Sequence, residues 1–594
     1  MPAVFDGGAG GVRGPLRLAG LLLILMSSSV HADASDRGDR YTGEHFATRS
    51  PVLARNGMAA TSHPIASAIA VDVLKQGGSA VDAAIAANAM LGLVEPHACG
   101  IGGDLFAIVW DPRKRTLAGY NGSGRSAGNL SYENLLDLLG EDGTMPVFGA
   151  LSVSVPGAVD GWFALHERYG KLPMADVLAP AIAYARDGIA ITEVDAALWA
   201  EALVEFEGSG LADAVLAGLR ETYTEDGVPP AAGSVFANPD LADSYRLLAQ
   251  HGRDAYYDGD LGRRIVDAVT RAGGRLSVED LRQHRGEWVD PVAVDYRGYR
   301  VFELPPNSQG IAALQMLQVL EAYPLAEMGR DSADFWHLFV EATKLAYEDR
   351  AKFYADPAFS PPPLDWLLSD AYAEERRALI DENRAQRELA AGQPPPHGDT
   401  TFLVAADRDG MMVALIQSNY WEFGSGLVAD GAGFALQNRA SSFSLEPGHA
   451  NVYAPGKRPF HTIIPAFVTK DGEPLMAFGV MGGYLQPQAH VQILTNLIDF
   501  GMNVQEAGDA ARVVHAGDSQ PNGERMTNGG IVHTESGIPL PVIHELERRG
   551  HTVTHGERRY VGAYGGYQAI WRDPVTGVYH GASEMRYDGA AAGY

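Results

Sequence analysis

The sequence predicts an α/β fold, a sandwich of sheets covered by helices, and three stretches of the chain carry that prediction. Between residues 62 and 93, Ala66, Ala70, Val73 and Leu74 and then Ala80, Ala83, Ala84, Ala87 and Leu91 recur at helical spacing. Gly77-Gly78 divides them into two tightly packed core helices. Residues 400–406 and 411–418 read as two strands joined by the turn Asp407-Arg408-Asp409-Gly410, a central hairpin. Further strands at 433–436, 463–468 and 475–478, with a helix near 488–500, complete an order of elements that packs as sheets between helices.

The earlier part of the chain fits the same plan. Residues 105–110 and 151–155 read as short buried strands, the second ended by Pro156-Gly157. From about 160 to 390 the pattern is mainly helical, broken at Asp258-Gly259 and at Pro305-Pro306-Asn307. A length of 594 residues exceeds what one core supports, so two large domains or one interlocked unit is expected. A net charge of −28 argues against a nucleic-acid partner, which needs a basic face.

Residues 1–34 read as an export signal. Arg13 and Arg17 precede an apolar run from Leu18 to Met26, and small residues follow, so cleavage is expected after Ala32 or Ala34. The apolar run is about half of the ~20 residues that span a bilayer, and no later segment resembles a membrane span. The expected location is therefore the periplasm or the medium. Cys99 is the single cysteine, which excludes an intrachain disulfide and a thiolate zinc site; in its apolar, glycine-rich setting it reads as packing.

The stretch nearest to chemistry begins at Ala390. Ala390-Ala391-Gly392-Gln393-Pro394-Pro395-Pro396-His397-Gly398-Asp399 is polar and proline-rich and reads as an exposed linker that stops at Thr400. Cutting the peptide bond before Thr400 would put a free α-amino group beside its hydroxyl. Such an amine, with a reference pKa of about 7.7–8.0, suits the base that a threonine nucleophile requires. The same hydroxyl can attack the preceding carbonyl to give an ester that water opens. Position alone leaves open that Thr400-Thr401 merely begins a strand for its β propensity.

From about residue 50 to 594 the chain resembles the γ-glutamyltransferase (glutathione hydrolase) family. The resemblance lies in Gly57-Met58-Ala59-Ala60, Val94-Glu95-Pro96, Gly100-Ile101-Gly102-Gly103, Val155-Pro156-Gly157, Asp399-Thr400-Thr401, Phe423-Gly424-Ser425-Gly426, Lys457-Arg458-Pro459, Gly482-Gly483 and Ala592-Gly593-Tyr594. It implies a four-layer αββα sandwich of the N-terminal-nucleophile (Ntn) hydrolases, made as a precursor that cuts itself at Asp399-Thr400. Residues 1–32 would be the signal peptide, 33–399 the large subunit and 400–594 the small one, the two remaining together as a heterodimer. It further implies Thr400 as nucleophile, Ser418 in place of a second threonine that hydrogen-bonds it, and Gly482 and Gly483 as oxyanion donors.

The substrate pocket departs from the family pattern. Asn121-Gly122-Ser123-Gly124-Arg125 stands where the family has an arginine that grips the α-carboxylate; ungapped alignment puts Ser123 there, with Arg125 two residues on. Gln437-Asn438-Arg439-Ala440-Ser441-Ser442 replaces an acidic stretch, so Ser442 takes the place of an aspartate and Arg439 adds a cation. Tyr420 and His461 replace an asparagine and a serine, while Thr462 keeps a hydroxyl. A pocket that loses a carboxylate and gains a guanidinium should favour an acyl group with a carboxylate and no ammonium, of glutaryl, adipyl or oxamyl type. Arg125 and Arg439 are the two candidates for gripping it, each with an ordinary ion pair as its alternative. This pattern resembles the cephalosporin-acylase-like and oxamate-amidohydrolase-like members.

The expected substrate is a small amide and the acceptor water or an amine; no cofactor is expected, and no spacing among the 18 histidines favours a metal. No His-Glu-x-x-His motif is present, and Leu105 occupies the third glycine position of a dinucleotide fingerprint. An exported binding protein that stays uncut is the competing class.

Overall fold

A computed structural model describes residues 48–140, 143–387, 399–556 and 564–594; the expected signal segment and most of the linker lie outside them. Two antiparallel seven-stranded sheets form the centre. The first runs from Ala590–Gly593 through Met58–Thr61, Asp399–Ala406, Met412–Tyr420, Asp104–Asp111 and Thr116–Asn121 to Glu287–Val289. The second runs from Val52–Ala54 through Tyr579–Ser583, Gly566–Arg572, Glu473–Met481, Ala466–Lys470 and Tyr299–Glu303 to Val292–Tyr296.

Strand alternation makes the layers. Phe402, Val404 and Ala406 face inward with Phe106, Ile108, Ala414 and Ile416 and meet Phe467, Ala477, Met481 and Ile570 of the second sheet, a dry core between sheets. Leu403, Ala405, Val413 and Leu415 face outward onto the helices Pro64–Lys75 and Ala80–Val94 and their neighbours. Val468, Met476, Phe478 and Val480 face outward on the other side, onto Gly310–Leu320, Ala333–Phe353 and Gln486–Ile498. The result is the expected αββα order.

The two alanine-rich helices form where the sequence places them. His63 caps the first by accepting from the amide of Ile65, with Pro64 in the first turn. Gly77 takes φ 94°, a conformation open to glycine, and Ser79 and Asp82 make a reciprocal capping box for the second. Small side chains let this helix be buried on every side, between the sheet and the neighbouring helices Pro64–Lys75 and Met174–Asp187.

Three predicted strands differ. Residues 151–155 hold a 3-10 turn (Ala150–Ser152) and then extended chain, whose amides find single partners, Val155 N–H donating to the Arg125 carbonyl, in place of a ladder. Residues 433–436 make only an isolated bridge, Val428 to Ala435, because Tyr223 and Asn238 already hold the Gly433 carbonyl. The strand expected from 463 starts at Ala466: the Ile464 amide is taken by Gln486 Oε1, and Pro465 has no N–H to give. Among the described residues no helix is long and apolar enough to cross a membrane.

Candidate active site

The central hairpin positions the candidate nucleophile. Its register runs Thr401 to Gln417 through Ala406 to Met412, and shifts between Asp399 and Thr401, so Thr400 falls on a bulge beside Ser418 and Asn419. The next residue is pinned. Thr401 Oγ1 donates to Glu95 Oε2 at 2.8 Å, and Ser62 Oγ donates to the same oxygen at 2.7 Å. Ser418 is fully buried opposite Asp104 in the neighbouring strand, and its Oγ accepts from the Tyr420 amide at 2.8 Å.

A second segment closes over the hairpin's end. The Gln437 amide donates to the Gly102 carbonyl (2.9 Å) and the Asn438 amide to the Asn419 carbonyl (3.2 Å), while the Trp421 amide donates to Asn438 Oδ1. The 3-10 turn Arg439–Ser442 follows and turns Arg439 into the interior, where it is wholly shielded from solvent. Arg439 Nη1 donates to Thr462 Oγ1 at 2.7 Å, and its guanidinium carbon lies 4.2 Å from the centroid of the Tyr420 ring. Its Nε and Nη2 have no acceptor among the described residues, and neither does the buried Ser442 hydroxyl. Burial pushes the guanidinium pKa down to about 10, opposed by Tyr420 and Asp104. A desolvated cation with two idle donors is a site for an anion.

Glycine geometry and one glutamine order the opposite wall. Gly482 has φ 131°, and a side chain there would press on Gly565 and Leu485. Gly482 and Gly483 lead through a 3-10 turn into the helix Gln486–Ile498, whose amino end favours developing negative charge. Gln309 Nε2 donates to the carbonyls of Thr462 (2.7 Å) and Gly483 (2.8 Å), and Arg350 Nη1 donates to Gln309 Oε1 (2.8 Å). Gln309 thereby fixes the Arg439 partner and the glycine pair in one frame. Nothing in the sequence signals this, because all three contacts are distant along the chain.

His461 is placed in the interior with its Nε2 3.1 Å from Asp104 Oδ2 and its ring 4.8 Å from Phe106. Burial, aided by the charge of Arg439, holds it well below the ordinary histidine range, so it is neutral. Arg439 thus brings Tyr420 and Thr462 together, with His461 next to Thr462 in the chain, and Ser442 closes the 3-10 turn that carries Arg439. Arg125 belongs to another network: Nη1 donates to Asp356 Oδ2 (3.3 Å) and the Gly456 carbonyl (3.1 Å), and Nη2 to Glu287 Oε1 (3.2 Å). Ser123, fully buried, donates to Asn121 Oδ1 at 2.7 Å and accepts from Asn307 Nδ2 at 3.1 Å. Among the described residues His337, Glu341 and His551 have the spacing of a metal site. Lys344 Nζ is already 2.7 Å from Glu341, and His337 Nδ1 is bonded to His551 Nε2 at 2.8 Å, while His551 Nδ1 is buried with no partner among the described residues.

A four-layer αββα sandwich whose central hairpin opens on a threonine at the end of a linker defines an N-terminal-nucleophile hydrolase made as a proenzyme. The profile of the Gamma-glutamyltranspeptidase family matches residues 66–594, and the chain belongs to that family. It is 37% identical over 546 residues to the glutathione hydrolase-like YwrD proenzyme of Bacillus subtilis, covering 91% of this chain and 99% of that one. It is 36% identical over 548 residues to the acylase ACY 1 proenzyme of a Pseudomonas species, covering 91% and 94%. The crystal structure of cephalosporin acylase from Bacillus halodurans superposes with a TM-score of 0.84 at 42% identity, covering 94% of this chain and 99% of that one.

Proposed function

We propose that the protein cuts itself between Asp399 and Thr400 and that the mature heterodimer, residues 33–399 with 400–594, cleaves γ-glutamyl or related carboxyacyl amides through an acyl-enzyme on Thr400. The observation that carries the substrate reading is Arg439, buried, aimed inward and with two donors idle. In maturation the Thr400 hydroxyl attacks the Asp399 carbonyl, the carbon–nitrogen bond breaks to free the Thr400 α-amine, and water opens the resulting ester to release the Asp399 carboxylate and restore the hydroxyl. In turnover that amine takes the hydroxyl proton, Oγ attacks the amide carbonyl, and the oxyanion faces the amides of Gly482 and Gly483, each donor contributing roughly 3–4 kcal/mol. The protonated amine then passes its proton to the leaving nitrogen, and water or an amine acceptor releases the acyl group. Ser418 supports Thr400 from the adjoining strand.

Arg439 receives the acyl carboxylate while Thr462 and the Tyr420 face hold its guanidinium. A narrower reading, a glutaryl- or oxamyl-type amidase without γ-glutamyl activity, draws support from Ser442, whose hydroxyl offers no charge to an α-ammonium. The names of the acylase relatives agree with a substrate that gives up an acyl group. Export to the periplasm or the medium is the reading that Arg13, Arg17 and the apolar run up to Met26 support.

Intact mass measurement of the denatured mature protein, followed by a panel of γ-glutamyl, glutaryl and oxamyl amides, tests these statements together. Two fragments meeting at Asp399/Thr400, and one chain in Thr400→Ala, are expected. A single uncut mass for the wild type, or cutting of Thr400→Ala at the same bond, would sink the proposal. The amino terminus of the large fragment reports whether export removed the leader.

A further inference from the structure

Glu95 is a buried carboxylate to which the reaction above gives no part. It ends the helix Ala80–Val94, and its backbone is fixed on both sides: its amide donates to the Leu91 carbonyl (2.8 Å), and its carbonyl accepts the amides of Ala98 (3.0 Å) and Cys99 (3.1 Å). A carboxylate at this end of a helix is opposed by the helix dipole, so its place there calls for compensating partners. Two of them are hydroxyls. Ser62 Oγ, just past the strand Met58–Thr61, and Thr401 Oγ1, next to Thr400, both donate to Oε2, at 2.7 and 2.8 Å. One oxygen thus ties a helix end to two paired strands. The strand across the hairpin is held by the same segment. Gln417 pairs with Thr401; its Oε1 accepts from the Gly100 amide at 3.0 Å and from Asn88 Nδ2 at 3.3 Å, and its Nε2 donates to the Gly100 carbonyl. Residues 88–100 therefore grip both strands of the hairpin at the end where Thr400 lies.

We propose that Glu95 is a positioning residue of the mature enzyme, holding the new amino terminus in place through Thr401. The inference rests on the reading of Thr400 as the nucleophile that the cut sets free. In the precursor Thr400 is bracketed: Asp399 pairs with Tyr420 on one side of the bulge and Thr401 with Gln417 on the other. The cut releases the first of these. Thr400 is then a chain end on a bulge, attached only through Thr401, and chain ends fray unless they are tied down. Thr401 is buried, and its bond to Glu95 fixes the side chain as the ladder fixes the backbone. Both the α-amine and the hydroxyl of Thr400 have to stay aligned with the substrate carbonyl, and a misplacement of about 1 Å costs on the order of 100-fold. The clamp therefore matters more to turnover than to self-cleavage, during which the chain still holds Thr400 on both sides.

The test compares Thr401→Val, which keeps the shape and removes the hydroxyl, with Thr401→Ser, which keeps the hydroxyl. Self-cleavage is followed on gels of freshly made full-length precursor. Turnover by the mature heterodimer is read on whichever amide of the panel above the wild type cleaves best. In Thr401→Val kcat should fall about 10- to 100-fold, with KM and the rate of self-cleavage within about threefold of the wild type. Thr401→Ser should restore kcat. Unchanged kcat in Thr401→Val, an equal loss of cleavage and turnover, or a loss that Thr401→Ser does not restore overturns this inference and leaves Thr400 standing as the nucleophile. A wild type that stays uncut overturns both. If Thr401→Val does not fold, Glu95→Asp decides, since it keeps the charge and withdraws the carboxylate by one methylene. A lowered kcat with self-cleavage preserved supports the inference, and any other result overturns it.

Discussion

The guanidinium of Arg439 rests on the face of Tyr420, 4.2 Å from the ring centroid, and the backbone of Tyr420 is held at φ 84° to place that face there. Positive φ is rare for a bulky residue and costs of order 1–3 kcal/mol, which the fold recovers by shielding a cation that has little other support. Tyr420 ends the strand Met412–Tyr420, so the cation's platform is attached rigidly to the hairpin that begins at Thr400.

Arg439→Met is therefore expected to raise KM for carboxyacyl amides far more than it lowers kcat. Removing one partner of a buried charge pair costs roughly 2–5 kcal/mol, about 30-fold or more in kcat/KM. Tyr420→Phe keeps the ring face and should change KM little, whereas Tyr420→Ala should give part of the Arg439→Met defect. Steady-state kinetics on a glutaryl amide beside an uncharged acyl amide checks this. Equal losses on both would remove Arg439 from carboxylate binding.

Much of this arrangement could be read from the sequence, and the remainder has a physical reason for being hidden. The two alanine-rich helices and the hairpin at Thr400 rest on local periodicity and turn chemistry, and the family resemblance drew attention to residues 437–442. The strands expected at 151–155 and 433–436 share the apolar composition of strands but find no ladder beyond the single bridge of Ala435 to Val428, and pairing is a tertiary matter. Asp104 carried a readable signal, an acid opening the apolar run Leu105-Phe106-Ala107-Ile108-Val109-Trp110. Gln309 carried none. Arg125 and Arg439 looked equivalent as cations, and only the fold separates a guanidinium engaged by Asp356 and Glu287 from one with idle donors.

That separation makes Arg125→Met informative. Arg125 is about a third exposed; of its carboxylate partners Glu287 is exposed and also accepts from Arg458 at 2.7 Å, while Asp356 is buried. Its loss takes a partner from buried Asp356 and should cost about 1–3 kcal/mol of stability, and it should leave KM for carboxyacyl amides within about threefold of the wild type. Thermal melts and the same kinetic assay report both. A KM defect matching that of Arg439→Met would give Arg125 a share in the pocket.

Gly482→Ala tests the opposite wall. At φ 131° an L-residue is strained, and the added carbon would sit 3.1 Å from Gly565 and Leu485. Displacing one oxyanion donor should lower kcat by about 100- to 1,000-fold with little change in KM. Self-cleavage passes through the same kind of oxyanion, so gels of freshly made protein should show uncut precursor accumulating. Normal cleavage with normal kcat would place the oxyanion donors elsewhere.

The last prediction concerns stability and pH. In the unfolded chain Asp104 titrates near its ordinary value of 3.8, and in the folded protein burial lifts it to about 7. A carboxyl whose folded value is raised binds its proton more tightly in the native state. The stability linked to that proton is present below about pH 4 and is lost as pH rises towards 7. Three units correspond to about 4 kcal/mol at most, since a unit is worth about 1.4 kcal/mol. Asp104→Asn removes the titration, so the variant should gain on the wild type between pH 4 and 7, and the difference should level off above 7. Denaturant unfolding of the mature heterodimer across that range measures it. A difference that stays constant with pH would mean that Asp104 ionises at its ordinary value inside the protein, with its two amide donors and His461 outweighing its burial.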